Sequence, residues 1–131
     1  MSDLSNLSTE SANESGVAMV ITDPVTGEQF LNKDKKPMTI WLYGVDSKEF
    51  KAATAAIYSK FRGKKTPSYG QQEQNSYELL ARCTKDFENL ELNGKKVVYS
   101  HQAAVDLYKS LSVVKDQVNE FIADRSNFLG N

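Results

Sequence analysis

The sequence is short of several residues that catalysis, metal binding and disulfide bonding depend on. Its 131 residues contain one cysteine, Cys83, and one histidine, His101. A single cysteine excludes an intramolecular disulfide framework and a zinc site built from several cysteines. A single histidine leaves no second one at metal-ligand spacing, and no known motif places a nucleophile beside it. We therefore predict no catalytic residue, no metal site and no cofactor.

Long apolar runs are also missing. The longest uncharged apolar run covers residues 37–45, nine residues, whereas a membrane-spanning helix needs about 20. The first residues lack the basic and apolar stretches of a secretory leader, so we expect no signal peptide. One cysteine and no export signal suit a reducing cytoplasm. We accordingly expect no membrane partner.

Basic residues are absent from residues 1–32, which carry a net charge of −5. Residues 33–65 carry +6 and residues 66–131 carry −2, so the whole chain carries −1. This distribution excludes a uniformly basic nucleic-acid-binding protein but leaves a local basic surface open. The candidate cluster consists of Lys60, Arg62, Lys64 and Lys65. Four charges on a loop are also ordinary solvation, so nucleic acid is an alternative partner that we do not favour.

The chain is predicted to be a disordered tail followed by one domain. Residues 1–16 hold five serines and three acids but no aromatic residue, which is too little apolar surface to offset the entropy of ordering. Residues 17–131 read as a single α+β domain, with a small N-terminal antiparallel sheet and a mainly helical C-terminal half of about four helices. Its parts are a strand-rich region with one helix (17–62), a linker (63–74) and a helical region (75–131).

Three short strands are predicted before the first helix of this domain. Residues 17–21 have strand composition, and a Pro- and Gly-containing turn over 23–27 follows them. Residues 28–31 then return as a second strand. Residues 38–45 alternate and are largely apolar on both faces, which predicts a third strand that is covered on both sides.

Capping and apolar spacing predict the helices. The first follows Asp46 as its N-cap, with Glu49 completing a capping box. The second begins after Asn75, and its apolar face includes Cys83 and Phe87. We therefore interpret Cys83 as a buried, unreactive thiol.

The signals continue towards the C-terminus. Asn93-Gly94 between apolar residues is a hairpin or tight-turn signal. Ser100 or His101 opens the third helix, which gives His101 a structural role at a helix start, and Ser112 can cap the fourth helix.

Aromatic residues exceed what a small core must hold, and Tyr and Trp are typical of protein interfaces. Partly buried positions at the edge of the core account for many of them. The residues alone therefore predict a cytoplasmic α+β interaction module that is not an enzyme.

Three blocks of the C-terminal half carry a family resemblance. The first is residues 77–83, YELLARC, followed by Asp86-Phe87; the second is residues 90–95, LELNGK, followed by Tyr99-Ser100; the third is Gln117-Val118 followed by residues 124–129, DRSNFL. In order and spacing these blocks, within residues 75–131, resemble the tail assembly chaperones of long-tailed bacteriophages of the siphophage type.

The resemblance implies a non-enzymatic assembly factor. Such proteins bind and solubilise the tape measure protein in the host cytoplasm before the tail tube polymerises, and they are absent from the mature virion. Expected partners are the tape measure protein, a frameshifted longer form of the chaperone and further copies of it. The end of the chain at Gly130-Asn131 suits a short form. From residue type and position, the candidate partner-binding residues are Trp41, Tyr43, Phe128 and Leu129.

Two alternatives stay open. One is a structural or connector protein of the tail, which would be incorporated into the virion. The other is a small nucleic-acid-binding module that uses the basic loop 60–65, with salt-dependent binding.

Overall fold

A computed structural model describes residues 3–60 and 67–129. Within these ranges the chain forms helices α1 (Glu10–Ser15), α2 (Lys48–Lys60), α3 (Tyr69–Arg82), α4 (His101–Ser110) and α5 (Ser112–Ala123). The strands are β1 (Val17–Val20), β2 (Thr39–Leu42), β3 (Thr84–Glu88), β4 (Glu91–Leu92) and β5 (Lys95–Lys96), and short 3-10 helices cover Leu4–Leu7 and Arg125–Phe128. The predicted α+β class, with an antiparallel sheet and a mainly helical C-terminal half, is confirmed.

The main sheet has the order β1-β2-β3 and is antiparallel throughout, with β4 and β5 forming a separate hairpin. The sequence predicts a strand over residues 28–31, but the third strand of this sheet is formed by residues 84–88. Residues 28–31 do run back after the predicted turn, through the bridges Thr22↔Gln29 and Leu31↔Pro37, and the Phe30 N–H donates to the Ile21 carbonyl, but they form no regular strand. The chain turns again at once, because the Asn32 side chain accepts hydrogen bonds from the backbone of Asp34 and Lys36. This second turn leaves no length for a regular strand.

The second predicted helix differs from the observed helix α3 at both ends. Helix α3 ends at Arg82, and Phe87 is a buried strand residue paired with Ile40. The helix begins at Tyr69, earlier than predicted, because Ser68 and Gln71 form a capping box. The predicted linker is therefore helical from residue 69, and residues 61–66 lie outside the described part of the chain.

One face of the sheet packs on the helices and the other is partly exposed. The buried face carries Met19, Ile40, Leu42 and Phe87, which join the core residues of α3, α4 and α5. On the other face Ala18 and Asp86 are exposed and Trp41, which pairs with both, is half-buried. Along β2 itself Thr39 on this face is buried and Tyr43 is half-buried, so the predicted cover on both sides of residues 38–45 is only partial.

Several helix ends follow from side-chain caps. Ser47, and not Asp46, caps α2, since its hydroxyl accepts a hydrogen bond from the Phe50 N–H at 3.0 Å. Ser100, one of the two residues predicted to open α4, caps it by accepting from the Ala103 N–H at 2.9 Å.

Two further predictions concern the C-terminal half. Ser112 is the first residue of α5 and does not cap it. The Asn93-Gly94 hairpin is confirmed, with left-handed φ values of 55° and 76° at its two turn residues.

Residues 3–15, which we call the N-terminal segment, are ordered against the domain instead of forming the predicted disordered tail. Asn13 is buried and its Oδ1 accepts a hydrogen bond from the Gly44 N–H at 3.0 Å. Thr9 Oγ1 donates to Asp46 Oδ2 at 3.1 Å, and Lys85 Nζ donates to the Ser15 carbonyl at 2.7 Å. These contacts are polar and distant in sequence, so apolar content alone could not reveal them.

Candidate functional site

The surroundings of the lone cysteine and the lone histidine indicate structural roles for both. Cys83 is fully buried, and burial raises the pKa of its thiol to about 12, so the thiolate needed for nucleophilic chemistry is not populated at neutral pH. His101 is the first residue of α4, and its Nε2 lies 2.8 Å from Glu78 Oε2 on α3. The hydrogen bond from His101 lowers the pKa of the Glu78 carboxyl. Among the described residues no three His, Cys, Asp or Glu side chains are grouped to hold a metal ion.

One concave feature of the described residues is an apolar groove of about 370 Å³. It lies where residues 21–38, strand β4 and the junction of α4 with α5 meet. Its lining is apolar except for Thr22 and Glu91. Residues 21–38 supply Ile21, Pro24, Phe30 and Met38 to it. The hairpin region supplies Leu90, Leu92 and Val97, and the helices supply Leu107, Leu111, Val113 and Val114.

Two side chains hold the walls of the groove in place. The Gln117 amide accepts a hydrogen bond from the Thr22 N–H at 3.0 Å and donates to the Thr22 carbonyl at 2.7 Å. It thereby ties residues 21–38 to α5. Glu91 Oε1 accepts from the Lys33 N–H at 2.7 Å, and Glu91 Oε2 lies 3.9 Å from Lys33 Nζ. The groove is therefore preformed and needs no rearrangement to exist.

Four large apolar side chains of the groove are left exposed to solvent. Their exposed fractions are 46% for Phe30, 40% for Leu92, 37% for Leu111 and 47% for Val113. Leu111 lies between α4 and α5, where its non-helical backbone ends one helix and precedes the next. Apolar side chains that converge on one groove are typical of a site where another apolar surface docks.

The residues predicted to bind a partner do not line this groove. Trp41 and Tyr43 are half-buried, and Trp41 Nε1 donates to Glu88 Oε1 at 3.0 Å. Burial raises the pKa of the Tyr43 hydroxyl, with a further contribution from Glu49. Leu129 is partly exposed just after the last short helix.

Phe128 is a core residue in this structure and not a surface residue. It is 2% exposed, packs edge-on against Phe121 with ring centroids 5.7 Å apart, and lies over Gly44. The short helix that carries it is capped by Asp124, whose carboxylate accepts from the Ser126 N–H at 3.0 Å. This cap turns the chain so that the Phe128 ring points inward, which its place near the end of the sequence did not indicate.

The predicted basic cluster falls mostly outside the described residues. Lys60 is exposed at the end of α2, whereas Arg62, Lys64 and Lys65 lie outside the described ranges. Nucleic-acid contact through this loop stays a prediction. Across the described ranges, every helix falls short of the length and hydrophobicity that crossing a bilayer requires.

Sequence reasoning missed the groove, although one signal for it exists. Leu111 and Val113 lie off the apolar stripe that α5 turns to the core through Val114, Val118 and Ile122. Apolar residues on the second face of a helix indicate a second contact. The other exposed groove residues, Phe30 and Leu92, come from separate segments whose meeting depends on the tertiary fold.

No family model, no curated protein and no solved structure matches the chain. The family resemblance thus depends on the three sequence blocks, and the structural argument for a function depends on the groove.

Proposed function

We propose that this protein is a non-enzymatic tail assembly chaperone of a long-tailed phage, which binds and solubilises the tape measure protein before the tail tube polymerises. The observation that carries the proposal is the apolar groove with its four exposed side chains. The sequence resemblance supports it from another direction, because the LELNGK block forms the β4–β5 hairpin and supplies Leu90 and Leu92 to the groove.

The groove suits one apolar stripe of an amphipathic client helix. Such a helix presents side chains at i, i+3, i+4 and i+7 to a hydrophobic groove. With only Thr22 and Glu91 as polar lining residues, the groove selects for apolar surface and not for a particular sequence. A single short contact of this kind is weak, and several copies along one client gain avidity.

The proposal places the protein in the host cytoplasm during assembly and not in the mature virion. Its partners are the tape measure protein, a frameshifted longer form of the same chain and further copies of itself. It performs no turnover, since its contribution is to keep an apolar client soluble.

The test is co-expression with the tape measure protein of the same genome, followed by pull-down and size-exclusion chromatography with light scattering. We expect a soluble complex, and Val113→Asp should weaken it by about tenfold or more because a carboxylate would be desolvated in the groove. The first turn of α5 tolerates an acid, so the fold should persist.

The matched control is Val98→Asp, at a side chain that is 71% exposed and does not line the groove. It should leave client binding unchanged. Client binding that survives both Val113→Asp and Phe30→Asp would refute the groove as the site. Finding the protein as a stoichiometric component of purified virions would refute the chaperone role and favour a connector.

A further inference from the structure

The outer edge of strand β1 carries backbone groups that the sheet does not use. The Ile21 N–H donates to the Met38 carbonyl beside β2, so Ile21 points its N–H towards the sheet. Successive residues of a strand point their polar backbone groups to opposite sides. Ala18 and Val20 therefore direct their N–H and C=O groups away from β2. In the described ranges no backbone or side-chain group hydrogen-bonds to them from that outer side.

One position along this edge already has the hydrogen bonds that an added strand would supply. Thr22 points its backbone groups outward like Val20. The Gln117 side-chain amide accepts from the Thr22 N–H at 3.0 Å and donates to the Thr22 carbonyl at 2.7 Å. A residue of a neighbouring antiparallel strand forms the same two bonds. Helix α5 thus fills one ladder position and leaves the next two, at Val20 and Ala18, open.

The opposite edge of the sheet, strand β3, is blocked in comparison. The Phe87 N–H donates to Asp86 Oδ1 at 2.8 Å, and the Thr84 carbonyl accepts from the Tyr99 hydroxyl at 2.8 Å. A bulge also interrupts the pairing of β2 with β3. Bulges and side-chain partners of this kind protect an edge strand from further pairing. The edge that can accept another strand is therefore that of β1.

The space beside this edge is acidic. A cleft of about 280 Å³ lies between β1 and α5. Its two ionisable lining residues, Glu120 and Asp124, are both acids and both exposed. Hydrogen bonds from Ser126 lower the pKa of Asp124, which keeps this carboxylate charged at neutral pH. The other lining residues are Met19, Val20, Thr22, Gln117, Phe121 and Asn127. A strand that enters this cleft is therefore favoured when it carries positive charge.

We infer that the outer edge of β1 binds an extended basic peptide segment of a partner protein as a fourth strand of the sheet. Peptide residues that pair with Ala18 and Val20 turn their N–H groups to β1 and their side chains to the partly exposed face of the sheet. The residues between them turn their side chains over α5, where lysine or arginine meets Glu120 and Asp124. This surface is separate from the groove, and the inference does not rest on the proposed function.

The test adds a synthetic peptide to the purified full chain. The probe is an acetylated peptide of alternating valine and lysine, about eight residues long, and binding is followed by calorimetry and by NMR of the backbone amides. The amide signals of Ala18 and Val20 should shift on binding. N-methyl groups on the valines, whose N–H groups face β1, should weaken binding by about tenfold or more. N-methyl groups on the lysines, whose N–H groups face away, should leave binding unchanged.

Variants of the protein test the same contact from the other side. Ala18→Pro removes one outward N–H at an edge position that tolerates proline, and it should weaken binding by about tenfold. Ala18→Thr keeps the N–H and is its matched control. Glu120→Lys should also weaken binding, because it reverses one charge of the cleft. Asp106→Lys, at an exposed position of α4 outside the cleft, is the control for that change and should bind like the unmodified protein.

The methylated peptides keep the test decisive even if a variant does not fold, since they leave the protein unmodified. Equal binding of the two methylated peptides would overturn the inference, because it would assign the contact to charge alone. So would an absence of binding, or amide shifts confined to the groove.

Val113→Asp separates this inference from the proposed function. The variant should lose the client and still bind the peptide, because Val113 lines the groove and not the cleft. Loss of peptide binding in Val113→Asp would overturn the inference that the two surfaces are separate. A chain that binds the peptide but ignores the tape measure protein would refute the chaperone proposal and leave the inference intact.

Discussion

The two ends of the three-stranded sheet use similar apolar residues for different purposes. At the closed end, beyond β2, the N-terminal segment packs against Gly44 and Asp46, and Phe128 fills the space over Gly44. The groove lies at the open end, and hydrogen bonds of Gln117 and Glu91 hold its walls in place. Phe30, which lines the groove, is nevertheless 46% exposed. Polar contacts therefore position both ends of the sheet, but only the closed end is covered by the N-terminal segment.

The strongest way to test this comparison is to truncate one phenylalanine at each end. Phe128→Ala should lower the free energy of unfolding by about 3–5 kcal/mol, because a buried ring is lost. Phe30→Ala should cost about 1 kcal/mol or less, since half of its ring already contacts water. Urea denaturation followed by Trp41 fluorescence measures both. Equal losses of unfolding free energy for the two variants would show that Phe30 contributes to the core as much as Phe128 does.

Crowding the closed end should have the next largest effect. A Cβ at Gly44 would lie 2.9 Å from two ring carbons of Phe128 and 3.0 Å from Asn13 Oδ1. We expect Gly44→Ala to destabilise the protein by about 1–3 kcal/mol, because the ring or the strand end must move. Gly70→Ala is the control, since nothing lies within 4 Å of a Cβ there and alanine favours the helix. Thermal denaturation of the two variants measures the difference in stability. An unchanged Tm for Gly44→Ala would contradict the close packing around Gly44.

The smallest effect is expected from an ion pair at the closed end. The Arg125 side chain donates to Asp46 at 2.9 and 3.1 Å and lowers the pKa of that carboxyl from its ordinary value. A folded-state pKa below the unfolded value stabilises the protein above about pH 4, and this contribution is lost as the pH falls through the folded pKa. Asp46→Asn should therefore be slightly less stable than the unmodified protein at neutral pH, with the difference vanishing in acid.

Denaturation curves between pH 2 and 7 measure that difference, and high salt should reduce it because the pair is partly exposed. Asp116→Asn, at an exposed position on α5, is the matched control. A stability difference that persists unchanged at pH 2 would assign the effect to packing and not to charge.

The features that the sequence predicted are those with local signals. The start of α4 follows from Ser100, and the β4–β5 hairpin follows from Asn93-Gly94, so each needs only a few neighbouring residues. Strand β3 has no such signal, because three of its five residues are charged and Cys83 and Phe87 have helical spacing. These residues form a strand because they pair with β2, which lies more than forty residues earlier in the chain.

The candidate site was less predictable for the same reason. The sequence predicts Phe128 as a partner-binding residue, whereas the structure buries it, and it gives no prediction of the groove. Phe30, Leu92, Leu111 and Val113 lie in separate segments, and no local pattern says that they converge. The buried amide of Asn13 similarly belongs to a segment whose composition resembles a disordered tail.

The long-range pairing of β2 also has a consequence for synthesis of the protein on the ribosome. Residues 39–42 gain their second neighbouring strand only after residues 84–88 have emerged, and the hydrogen bonds of Thr22 wait for Gln117, 95 residues later. The nascent chain thus carries uncovered apolar strands for most of its translation, when such surfaces are prone to aggregate. The groove comes into being only after Val113 has left the tunnel, so we expect a client to be captured by finished molecules and not by chains still being made.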